Sequence, residues 1–144
     1  MFRAIFAVPI LGVVTALLSC APFGIAFGRD LGQWGNTDPD VKAWFRSLKM
    51  PDDPLVSCCG EADGYYCDDL HVRADQAYCT VSDDRDDKKL KRAHVPIGVQ
   101  IPIPPNKLGN YPGNPTGHSI VFMQINGFAP ETYSVYCYVQ GSGI

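Results

Sequence analysis

Ser57-Cys58-Cys59-Gly60-Glu61-Ala62-Asp63 marks the point where the chain stops reading as helix and starts reading as strand. Upstream, Val41, Trp44, Phe45 and Leu48 recur at helical spacing behind Thr37-Asp38-Pro39-Asp40. Thr37 or Asp38 can cap a helix, Pro39 suits its first turn, and Asp40 complements the positive end of the dipole. The pattern predicts an amphipathic helix over about 39–49, stopped by Pro51, with its aromatic stripe packed on a sheet. Asp52-Asp53-Pro54 links it to the cysteine motif.

Downstream the pattern is β, over 58–144. Tyr65 to Val72 and Gln76 to Ser82 read as two strands of a hairpin. The acidic run Asp83-Asp84-Arg85-Asp86-Asp87 then meets the basic Lys88-Lys89-Leu90-Lys91-Arg92, most simply a solvated loop. Val95, Ile97, Val99, Ile101 and Ile103 alternate with Pro96, Gly98, Gln100, Pro102 and Pro104, which predicts an edge or bulged strand. Pro105 to Gly117 reads as loop, anchored by Tyr111. Ile120 to Ile125 is nearly continuous apolar, as a central strand would be. After the Asn126-Gly127 turn, Tyr133, Val135, Cys137 and Val139 share one face of a last strand; Thr132, Ser134, Tyr136 and Tyr138 share the other. The expected class is mainly β (α+β). One N-terminal helix packs on a small antiparallel sheet, or partly open barrel, of about five or six strands.

Met1-Phe2-Arg3 followed by an uncharged apolar run from Ala4 to Leu18 has the form of a secretory signal. Pro9, Gly12, Pro22 and Gly24 disfavour a signal anchor that stays as a spanning helix. Two processing sites compete. Leu17-Leu18-Ser19-Cys20 has the form of a lipobox, with Cys20 the lipid acceptor of an outer-membrane lipoprotein. Ala26-Phe27-Gly28 is a small-x-small cut before the polar Arg29-Asp30. The second gives a signal peptide over 1–28 and a single exported domain over 29–144, periplasmic or secreted. Loss of Arg3 would move the net charge from −3 to −4. A mildly acidic chain without a clustered basic face argues against nucleic acid. Membrane contact is expected only through the signal or a lipid on Cys20.

An exported chain defaults to disulfides. With Cys20 set aside, Cys58, Cys59, Cys67, Cys79 and Cys137 are an odd number. Cys67 and Cys79 flank Arg73 symmetrically, so a tight turn there would set them opposite each other across a hairpin. Cys137 is expected to bond Cys58 or Cys59, leaving one thiol over.

That thiol and His118 are the strongest candidate chemistry, since a cysteine nucleophile needs a base. A cysteine followed by a histidine that opens an apolar strand resembles the NlpC/P60 and CHAP cysteine amidases, with Cys58 or Cys59 as nucleophile. The resemblance is incomplete. Those families head a helix with the cysteine, and no third polar residue behind His118 is recognisable here. A metal site from Cys58, Cys59, Glu61, Asp63, His94 and His118 lacks the usual ligand spacing. Asp83, Asp84, Asp86 and Asp87 lack the glycine and alternation of a calcium loop. No metal and no cofactor is expected, and catalytic residues are expected to be none. His71 and His94 read as ordinary strand or loop histidines. Asn114-Pro115-Thr116-Gly117-His118 reads as a tight turn. Glu61, Asp63, Asn114 and His118 could line a shallow pocket if a disulfide draws 58/59 to the last hairpin.

Four segments together carry a wider resemblance: Arg29-Asp30-Leu31-Gly32-Gln33-Trp34, Ser57-Cys58-Cys59-Gly60-Glu61-Ala62-Asp63, Gly113-Asn114-Pro115-Thr116-Gly117-His118 and Val135-Tyr136-Cys137-Tyr138-Val139. The chain from Arg29 resembles an uncharacterised family of small exported alphaproteobacterial proteins. The resemblance implies export and a chain that starts at Arg29, and it implies no catalytic residue. The expected role is a binding or structural protein of the cell envelope, with an envelope component or small ligand as partner.

Overall fold

The computed structural model describes residues 37–58, 63–127 and 132–142. The expectations for the signal, for Cys20, for Arg29 to Asn36, and for Cys59 and Glu61 lie outside the described residues. Among the described residues no helix is long and apolar enough to cross a membrane.

Helix α1 covers Pro39–Ser47. Asp38 caps it, accepting from the Asp40 and Val41 N–H groups at 2.8 and 3.4 Å. It ends before Pro51 is reached. Leu48 turns extended, closes on Phe45 O, and leads into β1, Lys49–Met50. That strand pairs with β2, Asp53–Ser57, in a separate two-stranded sheet.

The middle layer is a four-stranded sheet. Its strands are β3 (Gly64–Tyr66), β7 (Leu108–Gly109), β8 (Ile120–Asn126) and β9 (Thr132–Val139), in the order β3-β8-β9-β7. The third layer is β4 (Asp69–Arg73), β5 (Gln76–Thr80) and β6 (Gln100–Ile103), in that order. A one-turn helix α2 (Asp87–Leu90) and a 3-10 turn (Pro105–Lys107) lie between strands. The mainly β, disulfide-stabilised class holds. The strands are more numerous and shorter than the sequence pattern suggests, and β7 joins β9 in parallel.

The middle sheet is buried on both faces, which explains the unbroken apolar run of β8. Ile120 and Phe122 point to α1, where Phe45 meets Phe122 edge to face at 5.9 Å. Val121 and Met123 point the other way, to Ile101, Ile103 and Cys79. Strand β9 does not keep one apolar face along its length. Its register jumps from Phe122↔Cys137 to Met123↔Val135, so Tyr136 is an inserted bulge residue. Cys137 and Val139 therefore join the α1 side, while Val135 and Tyr138 join the other.

Two disulfides tie the layers. Cys58–Cys137, with Cα atoms 5.6 Å apart, fastens the end of the β1–β2 hairpin to β9. Cys67–Cys79 also forms, at the same Cα separation, but for a different reason from the one the spacing suggests. The hairpin turn is Ala74-Asp75, both at positive φ (47° and 63°), and Cys79 faces Leu70. The expected continuous strand from Tyr65 to Val72 breaks at Cys67-Asp68. Cys67 leaves β3 with its N–H on Ser119 O and bridges from the middle sheet to β5. The bond links two sheets where a cross-hairpin staple was expected. Two disulfides suit an oxidising, exported environment.

The proline-alternating stretch is a strand only over Gln100–Ile103, and it lies at a sheet edge as expected.

Candidate functional site

The charged block 83–92 is solvated only in part: Asp84, Asp86, Lys88, Lys89 and Lys91 are exposed, but the others are not. Asp83 is buried (7% exposed) and binds Arg85 Nη2 at 2.6 Å and Arg92 Nη2 at 2.9 Å. Asp83 Oδ2 also accepts the Tyr66 N–H, and Gly64 O accepts from both arginines. Gly64 O and Tyr66 N belong to the edge strand β3, so these side chains take the places that another strand would fill. Arg92 lies over the Tyr65 ring and Arg85 over the Tyr66 ring, at 4.2 and 3.7 Å from the centroids. Burial, more than the neighbouring carboxylates, pushes the Tyr65 phenol up to about 12, against the pull of Arg92. Arg92 Nε also holds Asp87, which takes His94 Nδ1 at 2.7 Å. His94 is thus a hydrogen-bond partner of Asp87 at the surface, beside an open hollow of about 510 Å³.

His118 stacks on Tyr66, with centroids 4.2 Å apart and planes within 13°. Two groups cannot share one face of a phenol ring, so Tyr66 lies between Arg85 and His118. Asp68 Oδ2 is 3.1 Å from His118 Nδ1 and also accepts from Ser82 Oγ, while Asp68 Oδ1 accepts the Ser119 N–H. Burial would raise the Asp68 carboxyl, but those hydrogen bonds outweigh it and hold it below the usual range. Asp68 is the polar residue behind the histidine that the sequence did not reveal, because Asp68-Asp69 read as part of a strand. Cys58 cannot be the thiol that this histidine activates, since it is bonded to Cys137. His71 stacks on Tyr78 in the β4–β5 hairpin, as a strand histidine does.

The Asn114–His118 loop is built around Asn114. Its Nδ2 donates to His118 O and Gln140 O at 2.8 and 3.2 Å. Its Oδ1 accepts from the Thr116 N–H and Thr116 Oγ1. Gly113 and Gly117 supply the positive φ (73° and 76°) that the turn needs. Asn114, the run 109–113 before it, and Gln140, Gly141 and Ser142 line a shallow cleft of about 390 Å³. Among the described residues no charged side chain lines the cleft. The Tyr111 hydroxyl donates to Lys49 O, and the ring covers Gly109, where a Cβ would run into it. Asn114 therefore lines this cleft. His118 faces Asp68, and Asp63, just before β3, is not among the residues that line the cleft.

Asn114→Ala is expected to cost about 2–3 kcal/mol, because it leaves partly buried carbonyl and hydroxyl groups unpaired. Thermal unfolding together with faster amide exchange at His118 and Ser119 would show it. Unchanged exchange there would mean that Asn114 does not hold the loop. Gly141→Ala is a second probe, since a Cβ would lie 2.8 Å from Gly117 O and Ser119 N and push the 140–142 segment away.

Among the described residues no three His, Cys, Asp or Glu side chains converge as a metal site requires. Asp83 and Asp87 are committed to arginines. Arrangement and bonding define a small α+β domain held by two disulfides. No protein-family model, curated protein or solved structure matches the chain.

Proposed function

We propose that the chain is an exported binding domain of the cell envelope, and that the cleft between residues 109–114 and 140–142 is its ligand surface. The observation that carries the reading is the lining of that cleft. Two amides (Asn110, Gln140), a hydroxyl (Ser142) and an aromatic (Tyr111) line it, without a charged side chain among the described residues, while Asn114 holds the wall. Such a set suits an uncharged, hydroxyl- or amide-rich ligand of the envelope, which offers hydrogen bonds and a ring face. Export rests on the apolar N-terminal run and on the disulfides, with the cut after Gly28 and the lipid on Cys20 as the two processing routes.

A second reading, a cysteine hydrolase, draws support from the Asp68–His118 contact, because a carboxylate on Nδ1 leaves Nε2 to take a proton. With Cys58 bonded, it rests on Cys59. Two measurements separate the readings. Titration with chito-oligosaccharides, as neutral polyhydroxylated probes, should shift the Tyr111 and Gln140 resonances and should fail in Gln140→Ala. Iodoacetamide at pH 6 should leave Cys59 unlabelled. No shift with any neutral probe, together with a rapidly alkylated Cys59, would reverse the choice.

A further inference from the structure

Every sheet edge among the described strands is blunted except one. Strands β1 and β7 are two residues long and β3 is three. Strand β2 carries Pro54. The edge of β3 is also covered by Asp83, Arg85 and Arg92. At β6 the blocking residue is Pro102. The two-residue turn makes Arg73↔Gln76 a hydrogen-bonded pair, and the alternation then sends Cys79 toward Ile101 and Pro102 outward, where it has no N–H to offer.

Strand β4 has none of these devices. It is five residues long, lacks proline, and has no strand on its outer side among the described residues. The same alternation points the N–H and C=O of Leu70 and Val72 outward. Their side chains stand on the core face of the sheet, level with Cys79 and Ala77, yet are 38% and 71% exposed. Sheet edges of this kind invite another strand.

The sequence of β4 names its partner. Asp69-Leu70-His71-Val72-Arg73 is complementary to itself when antiparallel. Centred on His71, the pairing sets Leu70 opposite Val72 and Asp69 opposite Arg73. The outward backbone groups of Leu70 and Val72 then fall in the hydrogen-bonded positions, and the charges fall in the closer, non-hydrogen-bonded ones. A one-residue slip would lose both matches. Thr80 Oγ1 already donates to the Asp69 carboxylate on that face, at 3.2 Å, with His71 Nδ1 3.5 Å away. We propose that two copies of this chain associate through β4, antiparallel and centred on His71, so that their three-stranded sheets become one of six. Leu70 would exchange both backbone hydrogen bonds with Val72 of the partner subunit, and Asp69 would face Arg73 of the partner subunit.

The test is sedimentation velocity of the full chain over a concentration series up to about 1 mM, which reaches weak association. A monomer–dimer equilibrium is expected. Asp69→Arg and Arg73→Asp, each alone, put like charges opposite each other at two symmetric places and should weaken the dimer roughly tenfold or more. The double reversal should restore it. A chain that stays monomeric throughout, as it would if β4 serves a strand of another protein, overturns the proposal. So does a dimer that ignores the single reversals. Should a reversal impair folding, His71→Cys in a Cys20→Ser, Cys59→Ser background decides. The central pair would have Cα atoms about 4.5 Å apart, within disulfide range, so oxidation should give a covalent dimer. Its failure to form would equally sink the proposal.

Discussion

Replacing Cys58 and Cys137 together by alanine is expected to remove about 4.5 kcal/mol of stability in the chain-entropy account of cross-links. The bond spans a sequence separation of 79 and closes most of the β region. Both residues are fully buried beside Phe122 and Val139, so the loss of two sulfurs from the α1-side core adds to the cost. A domain of this size has only about 5–15 kcal/mol in hand. The Cys67→Ala, Cys79→Ala pair spans a separation of 12 and should cost about 3 kcal/mol. Guanidinium unfolding of both double variants checks the ranking. If removing the short-range bond proves the more damaging, loop entropy is not what the disulfides supply, and the link between the sheets matters more.

Asp83→Asn is the second large effect. Arg92 is 4% exposed at its side chain and has Asp83 as one of its two carboxylates. Removing the charge leaves a buried guanidinium undercompensated, at a cost of about 3–5 kcal/mol. The same group makes the fold sensitive to acid. Burial alone would raise the Asp83 carboxyl, but hydrogen bonds from Arg85 and the Tyr66 N–H, with the charges of Arg85 and Arg92, bring it down to about 2. A folded-state value below the unfolded 3.8 means that the contribution is present above about pH 4. It is lost as the pH falls through about 2, and amounts to about 2 kcal/mol. Denaturant midpoints taken from pH 5 to pH 2 should fall more steeply for the native chain than for Asp83→Asn. Parallel curves would assign the acid response to other carboxylates.

What could be read from the sequence follows the range of each interaction. The cap at Asp38, the apolar stripe of α1 and the buried run of β8 are local patterns, and they translated directly into structure. So did the proline-bearing edge at β6. The pairing of Cys67 with Cys79 was legible, but not its geometry, because the break at Cys67-Asp68 depends on β3 finding β8. The face switch in β9 was hidden for a similar reason. A bulge at Tyr136 is set by the partner strand, and period-two alternation assumes that none exists. In the charged block, the composition of 83–92 matches a solvated loop. What buries Asp83 is the unfilled edge of β3, which is distant in sequence. At the candidate site, Asn114 and Tyr111 announced themselves through turn chemistry and an isolated aromatic. Asp68 and Gln140 did not, since each meets the loop only after the sheets assemble.

The Cys58–Cys137 bond also fixes how the molecule answers a pull. Tension applied on the N-terminal side of Cys58 and on the C-terminal side of Cys137 passes through a covalent link whose Cα atoms are 5.6 Å apart. The sheets between those residues lie outside the line of force. Only the parts outside the bond would stretch, namely α1 with the β1–β2 hairpin and the end of β9 with Gln140, Gly141 and Ser142; the β4 edge would keep its shape under loads that unravel the helix and open the cleft.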